Sequence, residues 1–289
     1  MYAKFSIKDL EKLSGIKAHT LRIWEQRYGI LKPERTDTNI RWYSNDELKS
    51  LLNICLLYNH GLKISKIAQL SQEEIIGKVN HIIDEQSTEV EQIDALVIAM
   101  IEIDEIKFDW IISNNILNKG FEHTYGKIIY PFLMKIGTMW QTGAINPAQE
   151  HFISSLIRQK LVAAIDNLKF SNTAPEKQFL LFLPDGELHE LSLLYYSYWL
   201  RSKGYGVIYL GQSVPMDDLE KVVEIRKPDC LLSIFTNPID SPETVAKEIS
   251  AKFKGIPLLL SGLQVFNSKL KPTKDIKLFN SPEELSKLI

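Results

Sequence analysis

Two polar stretches of this chain carry side chains that could bind a ligand or a metal ion. Trp140 precedes Glu150 and His151 in the first stretch, and His189 lies near the centre of the second, residues 185–192. Imidazole is the commonest metal ligand in proteins and exchanges protons near neutral pH. Taken one at a time, the tryptophan and the histidines are more typical of packed or hydrogen-bonded residues. Their meaning therefore depends on the elements that position them.

Strand and helix candidates alternate over residues 176–289, which we predict to be an α/β domain. Apolar runs lie at 179–183, 206–210, 230–235, 256–260 and, weakly, near Ile276. Continuous apolar strands separated by helices predict a parallel sheet covered on both faces, here a flavodoxin-like (Rossmann-type) fold. Ligands of such folds bind beyond the carboxyl ends of the strands, where His189 lies. This loop has no GxGxxG pattern, which argues against a dinucleotide.

Apolar residues recur at helical spacing through residues 76–172, which predicts a four-helix bundle with short connections. Trp140 should end the third helix, and Glu150 and His151 should open the fourth. Pro131 should kink the third helix or start its second half. The bundle would thus bring the first polar stretch together at one of its ends.

Residues 1–75 read as a winged helix-turn-helix, a nucleic-acid-binding module. A helix capped by Ser6 should end at Gly15, and a second helix should begin near Ala18. Two short extended arms around the polar turn 36–39 should form the wing, and Ser44 should cap a following helix. The residues expected to face DNA are His19, Thr20, Arg22, Arg27 and Tyr28 around the second helix, and Arg35, Arg41 and Tyr43 in the wing.

The charge distribution supports a polyanion partner for the head alone. Residues 1–70 contain 12 basic and 7 acidic side chains, whereas residues 71–289 contain 22 and 29. The two cysteines lie far apart in apolar runs, which fits neither a disulfide framework nor a zinc site. No signal peptide and no apolar run of about 18 residues is present, so we expect a cytoplasmic protein without a membrane partner.

The head resembles the MerR family of transcription regulators over its whole length. The resemblance implies a winged helix-turn-helix that binds a double-stranded operator as a dimer, with Thr20 and Arg22 on the recognition helix and Arg35, Arg41 and Tyr43 against phosphate. It rests on several motifs in the right order: 5–7, Gly15-Ile16, 20–25, 28–31, Pro33, Arg35, 41–43 and Gly61-x-x-Ile64-x-x-Ile67.

The loop of the α/β domain resembles the cobalamin-binding motif D-x-H-x-x-G, matched by Glu187-x-His189-x-x-Ser192. The resemblance implies that His189 ligates cobalt and that Glu187 accepts the other imidazole N–H, which fixes the tautomer. Ser233 matches the family's serine on the third strand, and Ser261 and Gly262 match in part its glycine pair after the fourth. These residues would line the slot for the displaced nucleotide tail.

The arrangement of all three parts is similar to the CarH/LitR-type regulators. That resemblance implies a homo-oligomer, dimer or tetramer, that represses in the dark with adenosylcobalamin bound between bundle and α/β domain and releases DNA in light. Trp140 would cover the upper face of the corrin, and Glu150 and His151 would contact the adenosyl group. A protein antirepressor is a further expected partner. No enzymatic activity is implied.

Three departures from the family's residues keep a second hypothesis about function open. Ser192 and Ser261 stand where the family has glycine, and Gln141 stands where light-sensing members have a histidine that caps cobalt. They favour a MerR-like regulator with a degenerate cobalamin domain that acts through protein partners. A corrinoid carrier for a methyltransferase is disfavoured, because a carrier needs neither a wing nor a recognition helix.

Overall fold

The computed structural model divides the chain into two compact units, Met1–Leu156 and Ile157–Ile289. It describes residues 4–36, 39–85, 88–141, 145–168, 175–237 and 241–289. Residues 37 and 38 of the predicted polar turn and residues 143 and 144 of the third predicted connection lie outside the described residues, as does the side chain of Gln141. Among the described helices, none is both long and apolar enough to cross a membrane.

The first unit opens with the predicted helix-turn-helix, helices α1 (Ile7–Ser14) and α2 (Ala18–Tyr28). Ser6 caps α1, because its hydroxyl accepts the Asp9 amide while the Asp9 carboxylate accepts the Ser6 amide. Gly15 ends the helix with φ of +74°, a left-handed conformation that glycine adopts without steric cost. Local chemistry alone therefore sets the angle at which the chain enters α2.

A short antiparallel ribbon and three helices complete the amino-terminal part. The ribbon pairs Glu34 with Trp42 and Arg35 with Arg41, which confirms the predicted wing. The Ser44 hydroxyl accepts the Glu47 amide and so caps the first of the three helices, as predicted. The elements are β1 (Glu34–Arg35), β2 (Arg41–Trp42), α3 (Asn45–Asn59), α4 (Ile64–Ile67) and α5 (Gln72–Glu85).

The helical region that follows consists of four consecutive helical segments, as predicted. They are α6 (Glu89–Glu102), α7 (Glu105–Lys119), a composite segment made of α8 (Phe121–Thr124), a π-helical turn (Tyr125–Ile129) and α9 (Tyr130–Gln141), and α10 (Pro147–Asp166). Pro131 explains the π turn, because a proline ring clashes with the carbonyl four residues earlier and cannot donate a hydrogen bond. The wider turn accommodates that ring, with the Tyr130 amide bonded to the Tyr125 carbonyl.

Within the first unit, α3 packs against α5 and α6, and every residue from Leu51 to Leu57 is buried. Polar contacts reinforce this packing. The Lys135 Nζ donates to the Leu13 carbonyl at 2.5 Å and to the Asp94 Oδ1 at 2.6 Å. Lys49 forms an ion pair with Glu102. The amino-terminal helices are therefore attached to the helical region by partly buried ion pairs as well as by apolar packing.

The second unit is built on a five-stranded parallel sheet in the order β4-β3-β5-β6-β7. Counted from the first strand of the sheet, this is the 2-1-3-4-5 order of the flavodoxin-like fold, as predicted. The strands are β3 (Gln178–Pro184), β4 (Gly206–Val214), β5 (Cys230–Ile234), β6 (Leu258–Ser261) and β7 (Ile276–Leu278). The helices are α11 (Leu191–Ser202), α12 (Met216–Arg226), α13 (Pro242–Lys252), α14 (Leu263–Asn267) and α15 (Pro282–Ser286).

Strand β4 differs from the prediction, because it continues past Leu210 to Val214. Its pairing with β3 is interrupted twice by extra residues on β4, on either side of the pair Phe182 and Gly211. Such bulges re-aim side chains and commonly occur beside functional sites. Here they carry Gln212 and Ser213 toward the loop that follows β3.

Candidate functional site

Helix α2 presents a largely polar face to solvent. Leu21 and Trp24 are buried, whereas His19, Arg22 and Arg27 are exposed. Thr20 is half-buried, and Tyr28 lies beneath the guanidinium of Arg27 at 5.7 Å from the ring centroid. The face of α2 that is predicted to contact DNA is thus accessible and carries two arginines.

The two arginines of the wing are held by different partners. The Arg35 Nη1 donates to the Asn39 Oδ1 at 2.6 Å, and Arg35 is otherwise exposed. The Arg41 Nε donates to the Glu25 Oε1 at 3.1 Å, which leaves the arginine side chain 37% exposed. Both cations remain accessible to a phosphate beside α2.

The prediction that Tyr43 faces DNA is wrong for this conformation, because the side chain is fully buried and cannot touch a phosphate. Its backbone pairs with Phe5, and its hydroxyl donates to the Glu25 Oε2 at 2.9 Å. Burial, followed by the bond to Glu25, raises the pKa of Tyr43 far above its ordinary value. In this conformation Tyr43 therefore positions the wing.

Glu25 is a site residue to which sequence reasoning assigned no role. One carboxylate oxygen accepts from Arg41 and the other from Tyr43, so Glu25 ties α2 to the strand-forming arm of the wing. Its side chain is only 13% exposed. A lone acid within a basic segment was the available signal, because such a residue usually pairs with a cation nearby.

The second candidate site is the loop Asp185–Glu190, between the end of β3 and the start of α11. The His189 Nδ1 lies 2.8 Å from the Glu187 Oε1, and the His189 backbone amide donates to the same oxygen at 2.9 Å. The His189 side chain is 51% exposed, whereas that of Glu187 is 1% exposed. The carboxylate therefore orients the ring, with Nδ1 toward the protein.

Glu187 remains a carboxylate despite its burial. Its second oxygen accepts the backbone amides of Thr236 and Asn237, each at 2.7 Å, just beyond the end of β5. Burial alone would raise the pKa of Glu187, but the bonds from His189 and these two amides outweigh it and lower the pKa to about 2. The negative charge favours the tautomer in which Nδ1 carries the proton and Nε2 carries the lone pair.

Further polar residues lie at the carboxyl ends of β5 and β6. The Ser233 Oγ is buried and has no hydrogen-bond partner among the described residues. Ser261 is also buried, and its carbonyl accepts the Phe235 amide at 2.9 Å. Gly262 has φ of +107°, and a Cβ there would lie 2.3 Å from the Phe235 carbonyl oxygen. Only glycine fits this position.

Ser192 lies half-buried in the first turn of α11, three residues after His189. The remaining predicted residues belong to the first unit. Trp140 is 50% exposed in the last turn of α9. Glu150 and His151 lie in the first turns of α10, where the Ser154 hydroxyl donates to the Glu150 Oε1 at 2.6 Å and His151 is 77% exposed.

A polar network beside the loop was not anticipated from the sequence. Glu190 is buried and accepts from the Arg158 Nε at 2.6 Å and from the Tyr209 hydroxyl at 2.8 Å. Burial and the bond to Glu190 raise the pKa of Tyr209 well above its ordinary value. Because Glu190 directly follows His189, this network fixes the start of α11. The network joins three residues that lie far apart in the sequence, so no local sequence pattern predicts it.

Comparisons with known proteins match the amino-terminal head and the helical region that follows it. The description "MerR HTH family regulatory protein" matches residues 5–74, and "B12 binding domain" matches residues 92–164, which span α6 to most of α10. The HTH-type transcriptional repressor CarH of Myxococcus xanthus is 26% identical over 267 residues, which cover 89% of this chain and 88% of that protein. The repressor CarA of the same organism is 27% identical over 266 residues, which cover 89% and 86%.

Among solved structures, the monomethylamine corrinoid protein of Methanosarcina barkeri is similar with a TM-score of 0.53. The similarity covers 70% of this chain and 98% of that one, at 12% sequence identity. At this identity the comparison shows a shared fold, which agrees with the parallel sheet and the helical region described above.

Proposed function

Because the chain combines a MerR helix-turn-helix domain with a B12-binding domain and is homologous to the CarH and CarA repressors, we propose that it is a DNA-binding transcriptional repressor controlled by cobalamin. The observation that carries the cofactor assignment is the His189–Glu187 pair at the end of β3. A half-exposed imidazole whose Nδ1 is held by a buried carboxylate is the arrangement that metal-ligating histidines use.

The residues of the α/β unit fit cobalamin in two further respects. The buried Ser233 hydroxyl has no partner among the described residues, and buried polar groups of this kind normally bind a ligand or a water. Ser261 and Gly262 lie at the end of the neighbouring strand, where ligands of this fold bind. We propose that these residues line the slot for the nucleotide tail and that Ser192 lies beside the corrin ring.

We further propose adenosylcobalamin as the physiological form, which Trp140, Glu150 and His151 would contact. When bound, this cofactor supplies a cobalt–carbon bond that light can break. His189 would supply a nitrogen ligand to cobalt, Glu187 the buried charge that orients the imidazole, and Ser233 a hydrogen-bond donor or acceptor. We propose light sensing on the resemblance of the whole chain to CarH/LitR-type regulators, and it is tested separately from cofactor binding.

For DNA binding, we propose that the exposed α2 face enters the major groove and that the wing contacts the phosphates. His19, Thr20, Arg22 and Arg27 would approach the bases or the adjacent backbone, and Tyr28 and Arg35 would flank them. Arg41 would contact phosphate from its place beside Glu25. A two-half-site operator requires at least a dimer, so we propose a homodimer or a tetramer assembled from dimers.

Cofactor binding is tested by the absorption spectrum of protein that has been mixed with adenosylcobalamin in the dark and then desalted. We expect the wild-type protein to retain the corrin spectrum and His189→Ala to lose it, with partial recovery in free imidazole, which can replace the missing ligand. Lys254→Ala, which alters an exposed residue of the same unit, serves as the control. Unchanged retention by His189→Ala would remove this residue as the ligand.

Illumination with green light then distinguishes the remaining hypotheses about function. A retained spectrum that changes on illumination, together with released DNA, supports a photoreceptor. A retained but light-insensitive spectrum leaves a corrinoid sensor without photochemistry. A wild-type protein that retains no corrin spectrum refutes control by cobalamin. That result favours a regulator controlled by a protein partner such as an antirepressor.

DNA binding is tested on a duplex selected by the wild-type protein from a random library. Arg22→Ala and Arg35→Ala should weaken binding, and each lost phosphate contact should reduce the slope of log affinity against log salt by about 1. Lys254→Ala removes a positive charge outside the head and should change neither quantity. Affinity and slope that stay unchanged in both arginine variants would refute the assignment of this surface.

A further inference from the structure

The loop that carries His189 is held from two sides. On the inner side, the amides of Thr236 and Asn237 hold the Glu187 carboxylate. On the outer side, the loop faces the carboxyl end of β4, which is an edge strand of the sheet. The cobalamin motif accounts for the pairing of Glu187 with His189 but not for contacts on the outer side.

Two residues of β4 make the outer contacts, and we call them the β4 brace: Gln212 and Ser213. The Ser213 Oγ accepts the Gly186 amide at 3.0 Å and donates to the Asp185 Oδ1 at 2.8 Å. The Ser213 amide donates to the Glu187 carbonyl at 3.1 Å. The brace therefore bonds the loop at both main-chain and side-chain groups.

Gln212 extends the brace toward the histidine itself. Its Nε2 donates to the Leu188 carbonyl at 2.5 Å, in the peptide unit that directly precedes His189. With Ser213, this gives main-chain bonds at Gly186, Glu187 and Leu188, three consecutive residues of the loop. A loop bonded at consecutive peptide units has little freedom to turn the histidine away.

The geometry of β4 is unusual where the brace begins. Ser213 has φ of +48°, which non-glycine residues seldom adopt, and it lies beside the second of the two bulges in the β3–β4 pairing. A regular strand would direct alternate side chains above and below the sheet. The bulges and the left-handed residue instead direct a hydroxyl and an amide group along the sheet edge to the loop.

From these contacts we infer that the β4 brace is a positioning element for cobalt ligation, with Ser213 as its principal residue. The inference rests on the proposed function, since it takes His189 as the ligand. The brace holds the loop in its ligating shape before the cofactor arrives, so that binding need not order it. Ser213 touches neither cobalt nor corrin in this proposal and acts only through residues 185–187.

Two variants separate the hydroxyl from the backbone strain. Ser213→Ala removes the hydroxyl and keeps the unfavourable φ, whereas Ser213→Gly removes the hydroxyl and relieves the strain. Both lose the bonds to Gly186 and Asp185, so both should release adenosylcobalamin roughly tenfold faster than the wild type. Ser213→Asn, a residue that tolerates the left-handed region and can accept the Gly186 amide, should recover most of the retention. Ser286→Ala, at an exposed serine of α15, is the control.

The measurements are the dissociation rate of the cofactor in the dark, the absorption bands that report histidine as the lower ligand, and hydrogen exchange of residues 184–191 in cofactor-free protein. Faster exchange in this segment, weaker histidine-ligand bands and faster release in both variants support the inference. Loop exchange and release rates equal to the wild type in Ser213→Gly overturn it, even while the wild type retains cobalamin. A wild-type protein that retains no cobalamin refutes the proposed function, and the positioning role with it.

Discussion

Replacing Glu187 with glutamine should remove a pH-dependent part of the stability of the α/β unit. The carboxylate is buried, yet hydrogen bonds from His189, Asn237 and Thr236 lower its pKa from 4.5 to about 2. Because the folded-state pKa lies below the unfolded value, the carboxylate stabilises the fold above pH 4.5. That contribution is lost as the pH falls toward 2.

The size of the effect follows from the shift. Each unit of pKa difference corresponds to about 1.4 kcal/mol, so Glu187 contributes about 3 kcal/mol at neutral pH. About 2 kcal/mol of this should be lost by pH 3. Glutamine retains one acceptor oxygen but no charge, and it leaves the buried amides of Thr236 and Asn237 with a weaker partner.

Urea unfolding is monitored by the hydrogen exchange of peptides from β3 and β5, so that the measurement reports on the α/β unit alone. Between pH 7 and pH 3, the difference in unfolding free energy between the wild type and Glu187→Gln should shrink by about 2 kcal/mol. Asp218→Asn, at an exposed ion pair with Lys221, is the matched control and should follow the wild type. If the unfolding free energies of Glu187→Gln and the wild type change equally with pH, the Glu187 charge is not stabilised in the fold.

Three further predictions concern residues that tertiary contacts define. Lys135→Met leaves the buried Asp94 carboxylate without its cation and should cost about 3 to 5 kcal/mol in urea unfolding, most of it recovered when Asp94→Leu is added; a cost near zero would contradict the buried pair. Gly262→Ala forces a Cβ against the Phe235 carbonyl and should lower Tm and cost at least about 2 kcal/mol, so an unchanged Tm would contradict the close approach. Glu25→Gln should weaken operator binding about tenfold and reduce the salt slope by about 1, because Arg41 loses the carboxylate that holds it beside α2; unchanged affinity and slope would contradict this positioning role.

Much of the fold was predictable because its signals are local. Ser6 with Asp9, the left-handed Gly15 and the Ser44 cap each act within a few residues, so the sequence marks where helices begin and end. The apolar runs of β3 and β5 identify buried parallel strands by the same kind of short-range pattern. The pairing of Glu187 with His189 was also predictable, since only one residue separates them on one loop.

Sequence by itself thus determined the order of the elements, the basic head and the histidine loop, because caps, periodicity and motif spacing are encoded in neighbouring residues. Only the tertiary structure decided that Tyr43 is buried against Glu25 and that Arg158 and Tyr209 converge on Glu190. These contacts join residues far apart in the chain, and their geometry depends on how helices and strands pack. The β4 brace arises in the same way, because bulges in strand pairing direct its side chains to a loop that lies more than twenty residues earlier.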